Sequence, residues 1–306
     1  MACVKGGILM GKRKLRIGDK QVIAIEPYYE KSSELVGREE ELRNILAAWM
    51  NGSIPLLIGE PGLGKTRLAF EAALRFGRDL YNDRGSENND GEELVCRFRE
   101  SDKPDKKIDY ILWHLGAAMK LGGVYFLDEA GKLGPAGLHK LGSVLDSGRY
   151  VDSTLLAERI NARPGFRMIM ATNKADLERL RYDQDWFLSR MNPIVEIRYP
   201  SREEINRIAI THYSKSRESI ERLLDQFWNL WRGRHGDQPP TPRATIQIFG
   251  QAIGLAIFEE EVKKGYPIKI ERSNGPVTIK EKHLDASLER FFKGWEVIHG
   301  IPTPHF

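Results

Sequence analysis

"IPLLIGEPGLGKTRLAF", residues 54–70, divides into an apolar run, a glycine-rich turn and the start of an amphipathic helix. The run "IPLLIG" has the length and composition of a short buried strand, and "RLAFEAALRF" has helical spacing. Between them, Gly59, Glu60, Pro61, Gly62, Leu63, Gly64, Lys65 and Thr66 fit the pattern G-x-x-x-x-G-K-[ST] in full. Strand before and helix after is the context that gives this pattern meaning. The glycines permit a tight loop whose backbone N–H groups wrap phosphate oxygens at a helix N-terminus. Lys65 then balances charge on the β- and γ-phosphates, and the Thr66 hydroxyl joins the shell of a Mg²⁺ ion. The competing reading is a glycine-rich turn beside a surface lysine, which needs neither the whole pattern nor its flanking elements.

Outward from this loop the chain alternates between the two periods. Upstream, "ELVGREEELRNILAAW" places Leu42, Ile45, Leu46 and Trp49 at helical spacing, and Asn51-Gly52 stops that helix. Downstream, "LYNDRGSENNDGEE" reads as a polar surface loop, "LVCRFR" as a second strand and "YILWHLGAAMKLG" as a helix. "GVYFLDE" is a third strand, "GLHKLGSVLDSG" a helix, "RMIMAT" a fourth strand and "PIVEIRY" a fifth. Strands separated by helices predict an α/β fold: a five-stranded parallel sheet with helices on both faces. The segment from Gly148 to Phe166 is too long for a plain connection and suits a protruding β-hairpin.

The pattern changes near residue 200. Ser201 and Glu204 have capping-box spacing, and "REEINRIAITHYSK", "ESIERLLDQFWNLW" and "RATIQIFGQAIGLAIFEEEV" are helical. "IKIERSNGPVTI" offers a small hairpin turning at Asn274-Gly275, and "KEKHLDASLERFFKGWEV" closes the chain as a helix. The expected division is a basic N-terminal arm over 1–33, a nucleotide-binding core over 34–200 and a small helical lid over 201–306. "FWNLW", Phe227 to Trp231, reads as lid core.

Composition sets the outer limits. A hydrophobic share of 41% with 29% charged residues suffices for a buried core. The net charge of +4 is too mild to argue for nucleic acid by itself. Cys3 and Cys96 are the only cysteines, so no disulfide framework or cysteine zinc site is available, and a reducing, cytoplasmic setting is expected. No run approaches the roughly 18 apolar residues of a spanning helix. The basic segment "MACVKGGILMGKRKLRIGDK" lacks a signal-peptide core and reads as a flexible arm.

"VYFLDE", residues 124–129, complements the phosphate loop. An acidic residue ending a buried strand beside such a loop holds Mg²⁺, which suits Asp128, and Glu129 polarises the attacking water as general base. The pair could instead cap the next helix. Two carboxylates together argue for hydrolysis over nucleotide storage.

With these pieces in place the chain resembles the AAA+ ATPases, over about residues 34 to 300. "ELVGREEEL" is similar to that family's adenine-side element, "GEPGLGKT" and "YFLDE" to its Walker A and Walker B motifs, "IMATN" to sensor 1 and "TPRATIQIF" to sensor 2. The resemblance implies that Val36, Gly37 and Arg67 join the phosphate loop in binding ATP. It also implies that Asn173 positions the lytic water and that Arg243 reaches the γ-phosphate from the lid. Arg190, in "FLSRMNP", stands where the family carries an arginine finger. A guanidinium there would serve a neighbouring subunit's site, though a helix-end arginine complementing the dipole is the plainer account. Within the family, "GAAMKLGGVYFLDEAGKLGPAGLHKLGSVLDSGRYV" and the "TPRA" form of sensor 2 most resemble the MoxR and dynein-related branch.

That resemblance implies a homo-oligomeric ring, a hexamer by preference, which remodels a protein client without a membrane step. The hairpin near Tyr150-Val151 and the loop from Asp102 to Lys107 would be its moving contact surfaces. "RESDKPDKKIDY" is short and charged, without an aromatic-hydrophobic-glycine pore loop, which argues against a threading unfoldase. The loop motif of sigma-factor-dependent activators is also missing. Two other readings stay open. One is a DNA-associated ATPase, a transposition regulator or helicase loader, with the basic arm and Lys103, Lys106 and Lys107 on phosphates. The other is a scaffold whose assembly is timed by nucleotide.

Overall fold

A computed structural model of the chain describes residues 13–29, 34–102, 104, 107–264 and 277–299. The chain divides into two compact units. The first holds the described residues of Met1–Lys31, Glu39–Glu60 and Lys65–Ile197; the second holds those of Ser32–Arg38, Pro61–Gly64 and Arg198–Phe306.

In chain order the first unit contains β1 (Lys14–Ile17), β2 (Lys20–Ala24), α1 (Glu39–Met50), β3 (Leu56–Ile58), α2 (Lys65–Arg75) and β4 (Leu80–Arg84). It continues with α3 (Glu92–Val95), β5 (Cys96–Glu100), β6 (Ile108–Leu112), α4 (His114–Leu121) and β7 (Val124–Asp128). Then come α5 (Pro135–Leu145), β8 (Tyr150–Ser153), β9 (Glu158–Asn161), β10 (Arg167–Thr172), α6 (Lys174–Asp183), α7 (Asp185–Leu188) and β11 (Ile194–Glu196).

The central sheet has five parallel strands in the order β11-β3-β10-β7-β4. Its middle strands are apolar throughout because both faces are covered: Leu56, Leu57 and Val124 to Leu127 are fully buried. Trp49 of α1 is buried against this sheet and donates from Nε1 to the Met168 carbonyl at 2.9 Å.

The α/β class and five parallel strands match the expectation, but one strand was misassigned. "LVCRFR" does not enter the central sheet. Its place is taken by β4, inside the stretch read as a polar loop. Only Leu80 and Tyr81 of β4 are buried; Asn82, Asp83 and Arg84 carry the strand to its polar end, which hides the apolar signal. Likewise the stretch read as one helix from Tyr110 is β6 followed by α4.

A second sheet of four strands has the order β1-β2-β6-β5. Two hairpins form it, β1–β2 and β5–β6, joined by parallel pairing of Val22 with Tyr110 and Ala24 with Leu112. Ile17, Val22, Ala24, Cys96 and Leu112 enter the core on one face. Residues 14–24 are therefore structured where a flexible arm was expected, because alternate residues find an apolar partner surface. Residues 1–12, Lys103 and Lys106 lie outside the described residues.

The expected hairpin between Gly148 and Phe166 is β8–β9, but it is tied down rather than protruding. Val151, Leu156 and Ile160 are buried. The Glu92 carboxylate accepts from Ser153 Oγ (2.5 Å), Thr154 N (3.0 Å) and Leu155 N (3.3 Å), and pairs with Lys140 at 2.8 Å. Lys20 of β2 donates to the Leu156 carbonyl at 2.6 Å. Burial works to raise the pKa of Glu92, but its lysine, hydroxyl and amide donors outweigh that and hold it below the ordinary value.

The second unit adds α8 (Arg202–His212), α9 (Arg217–His235), α10 (Pro242–Lys264) and α11 (Glu281–His299). Ser201 and Glu204 make the reciprocal bonds of a capping box at α8. Phe227, Trp228 and Trp231 are all buried, with Ile205, Ile248, Phe249 and Phe292 in the same cluster. The proposed turn at Asn274-Gly275 lies outside the described residues. Among the described residues, no helix is long and apolar enough to cross a membrane.

Candidate nucleotide site

The parallel sheet brings the motif residues together at the C-terminal ends of its strands. β3 ends at Ile58, and Gly59 N donates to the Thr172 carbonyl at the end of β10 at 3.3 Å. The loop then turns through Gly62 (φ 87°) and Gly64 (φ 89°), left-handed conformations that a side chain strains. At Gly62 an added Cβ would also lie 3.0 Å from Cβ of Arg243 and 3.1 Å from Oγ1 of Thr241. Lys65, buried at the start of α2, donates from Nζ to the carbonyls of Gly59 (2.7 Å) and Glu60 (3.1 Å). The ammonium is therefore held at the backbone that follows β3. Leu63 is buried.

Thr66 Oγ1 donates to Asp128 Oδ2 at 3.2 Å, joining the first turn of α2 to the end of β7. Asp128 Oδ1 accepts from Glu129 N at 2.9 Å. A hydroxyl and one carboxylate suit Mg²⁺, which keeps several waters and takes one or two carboxylates plus phosphate oxygens. Among the described residues no cluster of three or more His, Cys, Asp or Glu forms an all-protein metal cage. The left-handed glycines, the inward lysine and the Thr66–Asp128 contact thus fit a Mg²⁺-bound nucleoside triphosphate.

Glu129 is held in place by groups that the sequence reading missed. Its carboxylate pairs with Arg84, at the end of β4, and with Lys132 at 3.0 Å. The Arg84 hydrogen bond, reinforced by Lys132 and opposed by burial, holds its pKa at about 2. Arg84 stands directly across the sheet from Asp128. The next residue, Gly85, lies so near the Glu129 carbonyl that a Cβ would come within 2.3 Å of it. Beside Arg84, Asp83 accepts from Trp113 Nε1 (3.1 Å) and Tyr125 OH (3.1 Å) and lies 2.7 Å from His114 Nδ1. The signal that could have exposed these residues is the Leu80-Tyr81 pair, which starts a strand that its polar end disguises.

The remaining residues fall into separate settings. Asn173 follows β10, between β3 and β7, but its side chain caps α6: Oδ1 accepts from Asp176 N at 2.7 Å and Nδ2 donates to Asp176 Oδ2 at 2.8 Å. Arg190 follows α7, with Nε on Asp146 at 2.7 Å, Nη1 on the Trp186 carbonyl at 2.6 Å and its guanidinium over the Trp186 ring. Arg67 lies 3.5 Å from Glu71 and over the Phe70 ring.

Within the second unit, Arg243 N donates to the Gly62 carbonyl at 3.3 Å. Val36 is buried, and Gly37 packs against the Glu204 carboxylate, where a Cβ would clash. Arg38, also missed in the sequence, is buried and donates to the carbonyls of Leu63 (3.4 Å) and Arg198 (2.8 Å).

Comparison with known proteins agrees with this geometry. The AAA domain family, dynein-related subfamily, matches residues 55–191. An uncharacterized Staphylococcus epidermidis protein, SERP0979, is 31% identical over 229 residues, covering 71% of this chain and 84% of its own length. The uncharacterized protein YojN of Bacillus subtilis is 26% identical over 211 residues, 67% of this chain and 68% of the relative. The Staphylococcus saprophyticus protein SSP1341 is 30% identical over 146 residues, so the match spans only 55% of that relative. Among solved structures, Brucella abortus NtrX in complex with ADP has a TM-score of 0.54 at 16% identity, covering 85% of this chain and 62% of that one. A variant of Thermotoga maritima RuvB has a TM-score of 0.52 at 20% identity, covering 84% and 70%. Those two likenesses speak to fold alone. Taken with the family match and the relatives, they show that the chain belongs to the AAA+ superfamily.

Proposed function

We propose that the chain is a Mg²⁺-dependent ATP hydrolase that works as an oligomeric remodeller of a protein or protein–nucleic-acid complex. The observation that carries the hydrolase reading is the 3.2 Å contact between Thr66 and Asp128, beside the buried Lys65. Mg²⁺, when bound, neutralises charge on the β- and γ-phosphate oxygens. The loop N–H groups and Lys65 hold the phosphates, and Thr66 and Asp128 hold the metal directly or through water. Glu129 takes the proton of the attacking water. Asn173 would orient that water, which requires its capping bonds to Asp176 to loosen. Arg243 serves the phosphates from the lid, and Val36, Gly37 and Arg67 complete the nucleotide contacts.

The test is Asp128→Asn, followed by titration with ATP. Binding should survive in EDTA, while the gain in affinity from Mg²⁺ disappears. An undiminished Mg²⁺ effect removes Asp128 from the metal site.

Arg190 is proposed to act in trans, across a head-to-tail interface that closes into a ring, a hexamer by family resemblance. To do so it must leave Asp146. The branch resembled is MoxR-like, and the setting that fits is cytoplasmic. Glu129 favours a second reading, a nucleotide-timed scaffold. A carboxylate paired with Arg84 and Lys132 is a weaker proton acceptor than a free one, so this reading expects slow basal turnover until Arg84 withdraws. Stable rings in ATP but not ADP, with slow turnover, would select the scaffold.

A further inference from the structure

Among the described residues, the four-stranded sheet has a second face that the core does not use. Register places Lys14, Ile23, Ile111 and Arg97 side by side across that face, with Arg16 and Arg99 on the next row. Ile23 and Ile111 are half-buried and lie outside the core cluster. The two edge strands therefore carry paired cations, and between them the inner strands place Ile23 and Ile111 on the first row and Gln21 and Asp109 on the next. With strands about 4.8 Å apart, the cationic rims stand roughly 14 Å from each other.

The charges on this face are unequal. Asp109 is the acidic residue on the inner strands, buried and 4.0 Å from Arg99. Asp19 and Asp102, in the flanking turns, lie 3.7 Å and 3.9 Å from Arg16 and Arg99. These exposed, long contacts bind their cations weakly. Arg97 donates from Nε to the Glu93 carbonyl and lays its guanidinium 3.7 Å from the centre of the Trp113 ring, which fixes a flat cationic surface at one rim.

We propose that this face binds single-stranded nucleic acid, with phosphates on the two rims and bases over Ile23, Ile111 and the Arg97 guanidinium. The cations meet the backbone charge, and Ile23 and Ile111 cover base faces that a duplex would keep stacked inside. Nothing in this site requires the nucleotide site to work, so it stands independently of ATP hydrolysis.

The test uses the full chain and a fluorescein-labelled 30-mer of deoxythymidine, read by anisotropy without nucleotide. Single-strand affinity falls with log salt at a slope of about −0.7 per neutralised phosphate, so four cations predict about −3. Arg16→Ala/Arg99→Ala should halve that slope to about −1.4 and weaken binding at least tenfold at low salt. Lys14→Ala/Arg97→Ala should do the same, and circular dichroism should show both variants folded. Absent binding at low salt, or folded variants that bind like the unmodified chain, would overturn the proposal; the latter would place the contact elsewhere, as on residues 1–12. A 30-base-pair duplex bound equally tightly and with the same sensitivity would overturn the single-strand assignment. Polyglutamate bound more tightly than the oligonucleotide would overturn the choice of nucleic acid.

Discussion

The two sheets of the first unit place their polar residues in opposite ways. In the five-stranded sheet the middle strands are apolar along their length, and charge collects at the C-terminal ends, at Arg84, Asp128 and Glu129. In the four-stranded sheet four cations, Lys14, Arg16, Arg97 and Arg99, run along one face. The first arrangement fixes a few groups within hydrogen-bond reach of one another, as bond-breaking chemistry requires. The second spreads its charges over roughly 14 Å and suits a long polyanion. Single substitutions should accordingly act as switches in the first sheet and by degrees in the second.

The largest expected effect tests the switch-like side. Arg190→Ala should bind ATP nearly normally and lose about 10³–10⁵ in hydrolysis rate, measured as phosphate release. Mixing it with Glu129→Gln should restore part of that rate; no recovery in well-mixed oligomers would remove the trans role. Next comes the bracing of the hairpin against α3. Glu92→Ala leaves Lys140 and two backbone N–H groups without their carboxylate, at a cost of about 3 kcal/mol in denaturant unfolding. A loss under about 1 kcal/mol would show that β8–β9 is held by its apolar side alone.

Arg84→Ala gives a smaller, signed effect. The pair lowers the Glu129 pKa to about 2, so its stabilising contribution is present above the ordinary carboxylate value and is lost as pH falls through about 2. Without Arg84 the carboxyl should titrate nearer its ordinary value of 4.5, as read by NMR, and neutral-pH turnover should rise several-fold. An unmoved titration would mean that Lys132 suffices. The smallest effect lies in the second unit, where Ser201→Ala should cost about 1 kcal/mol through the lost capping bond, measured by thermal unfolding.

The same contrast explains what the sequence discloses. The glycine-rich loop and the Asp128-Glu129 pair are legible because each directly follows an apolar run, and the α8 cap because its bonds are local. β4 was hidden because three of its five residues, Asn82, Asp83 and Arg84, are polar. The second sheet was hidden because its central pairing joins residues 22–24 to 110–112, and no local pattern announces a contact so distant in sequence. The anchoring of β8–β9 depends on Glu92, some sixty residues away, and was equally invisible. Asn173 is the intermediate case: its position after β10 is legible, but its bonds to Asp176 are those of an ordinary cap.

The central claim is that Lys65, Thr66, Asp128 and Glu129 form a hydrolytic site in which Glu129 activates water. Single-turnover hydrolysis of Mg²⁺-ATP by Glu129→Gln, beside the unmodified chain, tests it most directly. The account predicts that the variant retains bound ATP but converts it to ADP about 10²–10⁴ times more slowly. Conversion at an unchanged rate would contradict it.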